Sequence, residues 1–301
     1  MTLTHGPLCG QTTEEREAQE KLIMTEQRLR AAEANEVTLF DRSGYRRVVH
    51  IYGDSISRGF GFVEFEDPSP LSRIQDIAGL LARENGVPQS ELAIRYAWSQ
   101  DPRRLENEIR AGTVRPEDVV LYQDAGPHEN NAGQRRTRLQ DFINAVRLTD
   151  PRVELILTTT FDFDPPPVFE NSRYDEPVAG STLSMNAVLL EVAVRENVPV
   201  LDWNLQIDAA VAALAPSEIF LMHNDGVHPN ALGNFALAIS ILQHLGIEIR
   251  SWNSVVNEFV QLDKEHVKVL RLMPPLKRLE VERLLAAIVK QVQGSGRSAK
   301  P

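Results

Sequence analysis

Residues 48–59 read Val48-Val49-His50-Ile51-Tyr52-Gly53-Asp54-Ser55-Ile56-Ser57-Arg58-Gly59. The first half is apolar and rich in β-branched residues, which predicts a buried strand that ends near Gly53. A sharp turn directly after a buried strand exposes a side chain on a rigid base, and a catalytic nucleophile needs such a base. The stretch therefore predicts Ser55 as a nucleophile at the end of the first core strand.

A second motif lies far downstream, where the chain reads Asp225-Gly226-Val227-His228-Pro229-Asn230. A carboxylate and an imidazole three residues apart fit within one short turn, so both can face the same serine. The chain order Ser, Asp, His is one in which catalytic triads occur. Taken alone, Asp225 would be a helix cap and His228 incidental, but the pairing with Gly53-Asp54-Ser55 favours catalysis.

Together the two motifs resemble those of the SGNH, or GDSL-like, hydrolases, which carry Gly-Asp-Ser after the first strand and Asp-x-x-His in their last block. The resemblance covers residues 45–246. It implies Ser55 as nucleophile, His228 as general base and Asp225 as the partner that orients the imidazole. The implied activity is that of a serine esterase that forms an acyl-enzyme from a small ester or an O-acylated substrate, carbohydrates included. The resemblance implies no cofactor and no metal.

The oxyanion donors implied by the resemblance depart from the family pattern. In place of a glycine after the second strand, the chain has Ala97-Trp98-Ser99-Gln100, which leaves a backbone N–H of Ser99 or Gln100. The third block, Gly-x-Asn-Asp, is matched by Gly126-Pro127-His128-Glu129, with histidine at the asparagine position. A register that starts at Asp124 places Gly126 there instead. The candidate oxyanion donors are Ser55, Ser99, Gly126 and His128.

Candidate substrate-binding residues surround these motifs, namely Asp54, Phe60, Phe62, Phe161 and Phe163. Phe60 and Phe62 lie just beyond the nucleophile, and the other two phenylalanines open the segment 161–180, which holds three consecutive prolines. A long loop that follows a strand in a parallel sheet lies at the edge where open α/β folds bind ligands. We expect this loop to shape the substrate pocket. The alternative for all four rings is local packing under surface loops.

Apolar runs and amphipathic segments alternate along the middle of the chain. The predicted strands are 47–52, 91–98, 118–123, 153–159 and 198–201, and the predicted helices are 71–85, 103–110, 139–147, 183–196, 207–214 and 232–245. The alternation predicts a five-stranded parallel sheet with helices on both faces. The family resemblance implies that this sheet belongs to a flavodoxin-like three-layer αβα sandwich.

The flanking segments are predicted to be helical additions. A capping box, Thr12-x-x-Glu15, starts a predicted helix over 13–35 within a leader of residues 1–44. The hydrolase domain is predicted over 45–246, a helical extension over 247–293 and a disordered tail over 294–301. Residues 263–301 carry a net charge of +5 and residues 1–262 one of −15. We expect the amphipathic helix 276–292 to dock on this acidic body rather than on an acidic partner or a membrane.

Composition excludes several classes of function. A net charge of −10 argues against general nucleic-acid binding, because phosphate attraction needs clustered basic residues. Cys9 is the only cysteine, so the sequence excludes an intrachain disulfide. No apolar run reaches the length of a membrane span and no signal-peptide pattern opens the chain, so cytoplasmic residence is the default expectation. The particular ester substrate and the oligomeric state are left open.

Two other functions compete with the esterase. Gly53-Asp54 with Arg58-Gly59, and Gly126-Pro127-His128-Glu129, also resemble blocks of dinuclear metallophosphoesterases. Ser57 stands where a ligand aspartate is needed, however, and neither an earlier Asp-x-His nor a late Gly-His-x-His is present. The other alternative is a catalytically silent binding module with the same fold, supported only by the departures in the oxyanion blocks.

Overall fold

The computed structural model describes residues 46–54, 56, 70–124, 132–160, 179–214, 221, 228–262 and 277–297. Five strands form one sheet: β1 Arg47–Gly53, β2 Leu92–Trp98, β3 Val119–Gln123, β4 Glu154–Thr158 and β5 Val200–Leu201. The sheet has the order β2-β1-β3-β4-β5, and every pairing is parallel. This is the flavodoxin-like strand order, so the predicted fold is confirmed.

Eight α-helices and one short 3-10 helix, Pro70–Ser72, accompany the sheet in the described part of the chain. The α-helices are α1 Ile74–Glu84, α2 Pro102–Arg110, α3 Ala132–Thr149, α4 Ala179–Glu196, α5 Trp203–Leu214, α6 Ala231–His244, α7 Asn253–Val260 and α8 Arg278–Arg297. One buried cluster joins one sheet face to α1, α5, α6, α7 and α8, and the other cluster joins the opposite face to α2, α3 and α4. The sheet is the middle layer of the sandwich, and each cluster fills the space between the sheet and one outer layer of helices.

The side chains of β1 alternate between the two clusters. Val49 and Ile51 belong to the first cluster, and Tyr52 belongs to the second. A parallel strand that is covered on both faces must be apolar at successive positions, which explains the continuous apolar run in the sequence. Tyr52 pairs in register with Tyr122 of β3, and the Tyr122 ring stacks on Phe142 with centroids 3.8 Å apart. β1 and β3 therefore reach the carboxyl edge of the sheet side by side.

The C-terminal helices pack into the first cluster rather than standing apart. Val281, Leu285 and Ile288 of α8 are at most 1% exposed, so docking on the body is confirmed. α8 runs to Arg297, whereas a disordered tail was expected from Gly294. α7 lies within the helical extension predicted over 247–293, although it was not given there as a separate helix.

The carboxylate of Glu84, at the end of α1, is hydrogen-bonded to this C-terminal region. Glu84 accepts hydrogen bonds from the Asn253 N–H at 2.7 Å and from the Ser254 N–H at 2.9 Å, and from the Ser251 and Ser254 hydroxyls. Burial alone would raise the pKa of Glu84, but these hydrogen bonds outweigh it and lower the pKa. The next residue, Asn85, accepts from the Arg250 and Ser251 N–H groups at 2.7 and 3.0 Å. The start of α7 is thus fixed to the end of α1.

The amino edge of the sheet holds a buried carboxylate, that of Asp118. Asp118 Oδ2 lies 3.1 Å from His50 Nε2, and its carboxylate accepts from the Val48 N–H at 3.0 Å and the Arg115 N–H at 2.9 Å. Burial would raise the pKa of Asp118, but the hydrogen bonds from His50, Arg115 and Val48 lower it to about 2. The cluster ties β1 to β3 at the end opposite the predicted site.

Several element boundaries differ from the prediction. α3 starts at Ala132 instead of Leu139, because its first two turns are polar and read as loop, although Arg135 within them is buried. α5 starts at Trp203 rather than Ile207, and β5 is reduced to Val200–Leu201. The predicted helix 13–35 and most of the loop 161–180 lie outside the described residues. No helix among the described residues is long and apolar enough to cross a membrane.

Candidate functional site

The candidate site lies where β1 and β3 end. Strand order reverses between these two neighbours, because β1 connects outward to β2 and β3 leads to β4 on the other side. In open α/β sheets ligands bind outside the carboxyl ends of the strands at such a switch point. Gly53 ends β1 and Gln123 ends β3. The Gly-Asp-Ser motif therefore occupies the position at which this fold binds its ligands.

The turn after β1 is held by its own side chain. Asp54 Oδ1 accepts a hydrogen bond from the Ile56 N–H at 2.9 Å, which is an Asx-type turn spanning Ser55. Ile56 is 3% exposed and belongs to the first cluster, so the chain returns to the core directly after the serine. Ser55 itself lies outside the described residues, but both of its neighbours are fixed. Asp54 was predicted to bind substrate, and that role stays a prediction.

Two neighbouring strands brace this turn from either side. The Asp54 N–H donates to Gln123 Oε1 of β3 at 3.2 Å, and the Tyr96 hydroxyl of β2 donates to the Asp54 carbonyl at 2.8 Å. Gln123 Nε2 in turn donates to the Asp124 carbonyl at 3.0 Å. Sequence reasoning missed Gln123 and Tyr96. The only signal for Gln123 was an amide at the end of an otherwise apolar run.

Asp124, the first residue after β3, is held by two arginines of α3. Arg135 Nε lies 2.6 Å from Asp124 Oδ2, and Arg138 Nη2 lies 2.7 Å from Oδ1. The side chains of Asp124 and Arg135 are fully buried, and that of Arg138 is 18% exposed. Burial lowers the pKa of the Arg135 guanidinium, and the Asp124 charge counteracts this effect. The start of the segment that carries Gly126 and His128 is thus anchored by charge.

The described residues on either side of the segment 222–227, which carries Asp225, are joined by a hydrogen bond. The Asn230 N–H donates to the Leu221 carbonyl at 2.8 Å. Asn230 Oδ1 accepts from the N–H groups of Leu232 and Gly233 at 2.9 and 3.1 Å, so Asn230 is the N-cap of α6. His228 is 9% exposed and lies two residues before this cap. The cap therefore fixes where α6 begins relative to the histidine.

Gly233 allows α6 to approach Leu221 and Pro229 closely. A Cβ atom at this position would lie 2.5 Å from the Leu221 carbonyl oxygen and 2.9 Å from Pro229 Cβ. Real Cβ atoms do not make contacts this short, so only glycine fits without a shift of the backbone. The glycine was not singled out from the sequence, although an isolated glycine inside a helix signals a close approach.

The remaining predicted site residues fall into two groups. Ser99 is described, and its Oγ accepts from the Asp101 N–H at 3.0 Å, next to the N-terminus of α2. Its part in an oxyanion hole stays a prediction. The others lie outside the described residues: Asp225, Gly126, His128, Phe60, Phe62, Phe161 and Phe163. The assembly of Ser55, Asp225 and His228 into a triad is therefore also a prediction.

The described residues outside the candidate site offer little support for a different kind of site. No group of three or more His, Cys, Asp or Glu side chains in the described part of the chain is arranged to hold a metal ion. A surface groove of about 400 Å³ lies between α8 and residues 250–253, which lead into α7, and its lining contains none of the candidate residues. Its lining is Arg250, Ser251, Trp252, Asn253, Glu282, Arg283 and Ala286.

Comparison with protein families identifies the chain. The family model of the GDSL-like lipases and acylhydrolases matches residues 51–235, which run from within β1 into α6 and include both motifs. The chain belongs to this family. It is accordingly a hydrolase of ester bonds. Comparison with curated proteins finds no significant match.

Solved structures resemble the fold of this GDSL-like hydrolase at low sequence identity. A putative GDSL-like lipase from Parabacteroides merdae is 15% identical, with a TM-score of 0.50 over 71% of this chain and 100% of the other. A carbohydrate acetylesterase family member from Sinorhizobium meliloti is 16% identical, with a TM-score of 0.47 over 66% and 99%. An acetyl xylan esterase is 14% identical, with a TM-score of 0.46 over 65% and 98%. The first of these supports the fold alone.

Proposed function

We propose that this GDSL-like hydrolase is a serine esterase in which Ser55, His228 and Asp225 form a catalytic triad. The observation that carries the proposal is the braced turn at the end of β1. A nucleophile must be held in one geometry by residues that are themselves fixed. The residues on either side of Ser55 are held by bonds to Gln123, by Tyr96 and by the buried side chain of Ile56.

The proposed reaction proceeds in two halves. Ser55 Oγ attacks the ester carbonyl carbon while His228 takes the hydroxyl proton, and Asp225 orients the imidazole and stabilises its charged form. His228 then gives the proton to the leaving alcohol, and the acyl group stays on Ser55. A water molecule, deprotonated by the same imidazole, attacks the acyl-enzyme, and His228 returns the proton to Ser55 Oγ as the acid is released. The order of the residues and the hydrogen bond between Asn230 and Leu221 support this assignment.

The negative charge that develops on the carbonyl oxygen needs fixed donors. We assign this role to the backbone N–H groups of Ser55, Ser99 and Gly126 and to the His128 side chain. A neutral imidazole can donate one N–H as the amide of an asparagine does. The anchoring of Asp124 by Arg135 and Arg138 supports a fixed start for the segment that carries two of these donors.

The proposed substrates are small esters or O-acylated molecules, carbohydrates included. Asp54, Phe60, Phe62, Phe161 and Phe163 would line the acyl or leaving-group pocket, since they follow the strands that end at the carboxyl edge. The four phenylalanines would supply apolar area, which small-molecule pockets mostly present.

Covalent labelling by a fluorophosphonate, followed by peptide mapping, tests the nucleophile without knowledge of the substrate. We expect the label on Ser55. Ser55→Ala should abolish labelling and lower the hydrolysis of p-nitrophenyl acetate by several orders of magnitude, because triad members act as a unit. Ser57→Ala, two residues away, is the matched control and should keep most of the activity. A label on another residue, or an equal loss in the two variants, would overturn the assignment.

A further inference from the structure

Gln123 is a buried amide that bonds to two segments at once. Its side chain is 1% exposed. Oε1 accepts the Asp54 N–H at 3.2 Å, and Nε2 donates to the Asp124 carbonyl at 3.0 Å. A backbone N–H can only donate and a carbonyl can only accept, so these two partners fix the orientation of the amide. Gln123 therefore links the turn after β1 to the first residue after β3.

Each end of this link acts on a segment with a proposed chemical role. Asp54 immediately precedes Ser55, so the bond to its N–H limits the position of the Gly53–Asp54 peptide, one peptide before the nucleophile. The Asp124 carbonyl belongs to the first peptide after β3, and the Asp124 carboxylate is held separately by Arg135 and Arg138. With the side chain held by charge and the carbonyl held by the amide, Asp124 has a single orientation relative to Asp54.

We propose that Gln123 is a positioning residue that sets the separation between the Ser55 turn and the segment after β3. The inference rests on the proposed function, because it assumes that Ser55 is the nucleophile. Parallel neighbouring strands lie about 4.8 Å apart, so an amide of this length spans the gap between two backbone groups at the strand ends. Nucleophilic attack depends steeply on geometry, and a misplacement of about 1 Å can lower the rate by about a hundredfold.

Gln123→Met tests the link because methionine has a similar length and volume but makes neither bond. We expect the second-order rate of fluorophosphonate labelling and kcat for p-nitrophenyl acetate to fall by about tenfold to a hundredfold, with KM changed by less than about threefold. A change confined to kcat is expected if Gln123 acts on the nucleophile and not on substrate binding.

Gln123→Glu supplies a readout that a merely structural role would not move. Ionised glutamate accepts from the Asp54 N–H but repels the Asp124 carbonyl, whereas protonated glutamate reproduces both bonds of the parent amide. Burial raises the pKa of a carboxyl group, which brings this protonation into the measurable range. The ratio of the Gln123→Glu labelling rate to the parent rate should therefore rise as the pH falls from 8 to 5.

Thr158→Val is the matched control. Thr158 is the register partner of Gln123 on β4, is fully buried, and donates from Oγ1 to the Tyr122 carbonyl at 3.4 Å. β4 is separated from β1 by β3, so this variant disturbs a buried strand-end hydrogen bond without touching the Ser55 turn. Its labelling rate should stay within about twofold of the parent rate, even where the melting temperature falls as far as that of Gln123→Met.

The outcomes separate cleanly. A Gln123→Met variant that labels at the parent rate, or a Thr158→Val variant that loses as much, overturns the inference while the proposed function stands. If Gln123→Met does not fold, the pH dependence of Gln123→Glu decides, and a flat ratio overturns the inference. A parent chain that neither labels at Ser55 nor hydrolyses esters overturns the proposed function, and this inference with it.

Discussion

Replacing Gly233 by alanine should damage activity far more than stability. The added Cβ would meet the Leu221 carbonyl oxygen at 2.5 Å, and this oxygen is already bound by the Asn230 N–H at 2.8 Å. The Leu221 carbonyl oxygen is a backbone atom and cannot turn away as the end of a flexible side chain could. The close contact can therefore be removed only if α6 moves relative to Leu221. An ordinary contact requires a displacement of about 1 Å. His228 lies two residues before Asn230, the N-cap of α6, and would move with the helix.

The two effects can be separated by magnitude. Alanine is favoured over glycine inside a helix by about 1 kcal/mol, and overpacking costs about 1–3 kcal/mol. The free energy of unfolding should therefore fall by about 1 kcal/mol, which leaves an ordinary domain folded. The same displacement at a catalytic base lowers kcat by about a hundredfold.

Gly79→Ala is the control for this variant. Gly79 lies inside α1, and a Cβ there would meet only Arg83 Nη1, at the ordinary distance of 3.6 Å. Gly79→Ala should raise stability by up to about 1 kcal/mol with no change in kcat. Urea unfolding and ester hydrolysis, measured on both variants, provide the comparison. If Gly233→Ala matches Gly79→Ala in both measurements, the close approach does not position His228.

Two further predictions concern histidines. His128→Ala should lower kcat about a hundredfold or more with little change in KM, and His128→Asn should keep much of the parent kcat. If both variants hydrolyse esters at the parent rate, His128 is not an oxyanion donor. Burial lowers the pKa of His244 from 6.5 to about 4. The contribution of His244 to the free energy of unfolding should therefore be fully present above pH 6.5. It should fall by at most about 3 kcal/mol as the pH drops toward 4, because only the unfolded chain gains the proton there. Urea unfolding of His244→Phe should show a flatter pH dependence, and an unchanged slope would contradict the assignment.

The fold was predictable because its determinants are periodic. Val49, Ile51 and Tyr52 are apolar at successive positions since both sheet faces are covered, and this pattern is visible in one sequence. The start of α3 was not predictable, because an arginine such as Arg135 is normally a surface residue. Its ion pair with Asp124, at 2.6 Å, is visible only in the structure. The bounds of α7 within the predicted helical extension were not visible, because its first turn is stabilised by Glu84, a residue 169 positions from Asn253.

The candidate site likewise contains residues that sequence motifs indicate and residues that only the structure shows. Ser55 and His228 stand in short motifs whose spacing carries chemistry, so the sequence could propose them, and their roles stay predictions. Gln123 and Tyr96 act through single hydrogen bonds across neighbouring strands, and such pairs have no characteristic spacing in the sequence. Gly233 left a weak signal, a glycine inside an apolar helix, but its meaning depends on the Leu221 carbonyl.

The hydrogen bonds that Glu84 accepts from the start of α7 have a practical consequence for shortening the chain. The family match ends at residue 235, which suggests a compact catalytic fragment ending near Gly246. Such a fragment would lose Val255, Phe259 and Leu285, which now cover one side of the first cluster, and would strip Glu84 of every hydrogen bond to the start of α7. An apolar face laid bare beside an unpartnered carboxylate is a surface prone to aggregation. Expression trials should therefore keep α7 and α8 with the catalytic core.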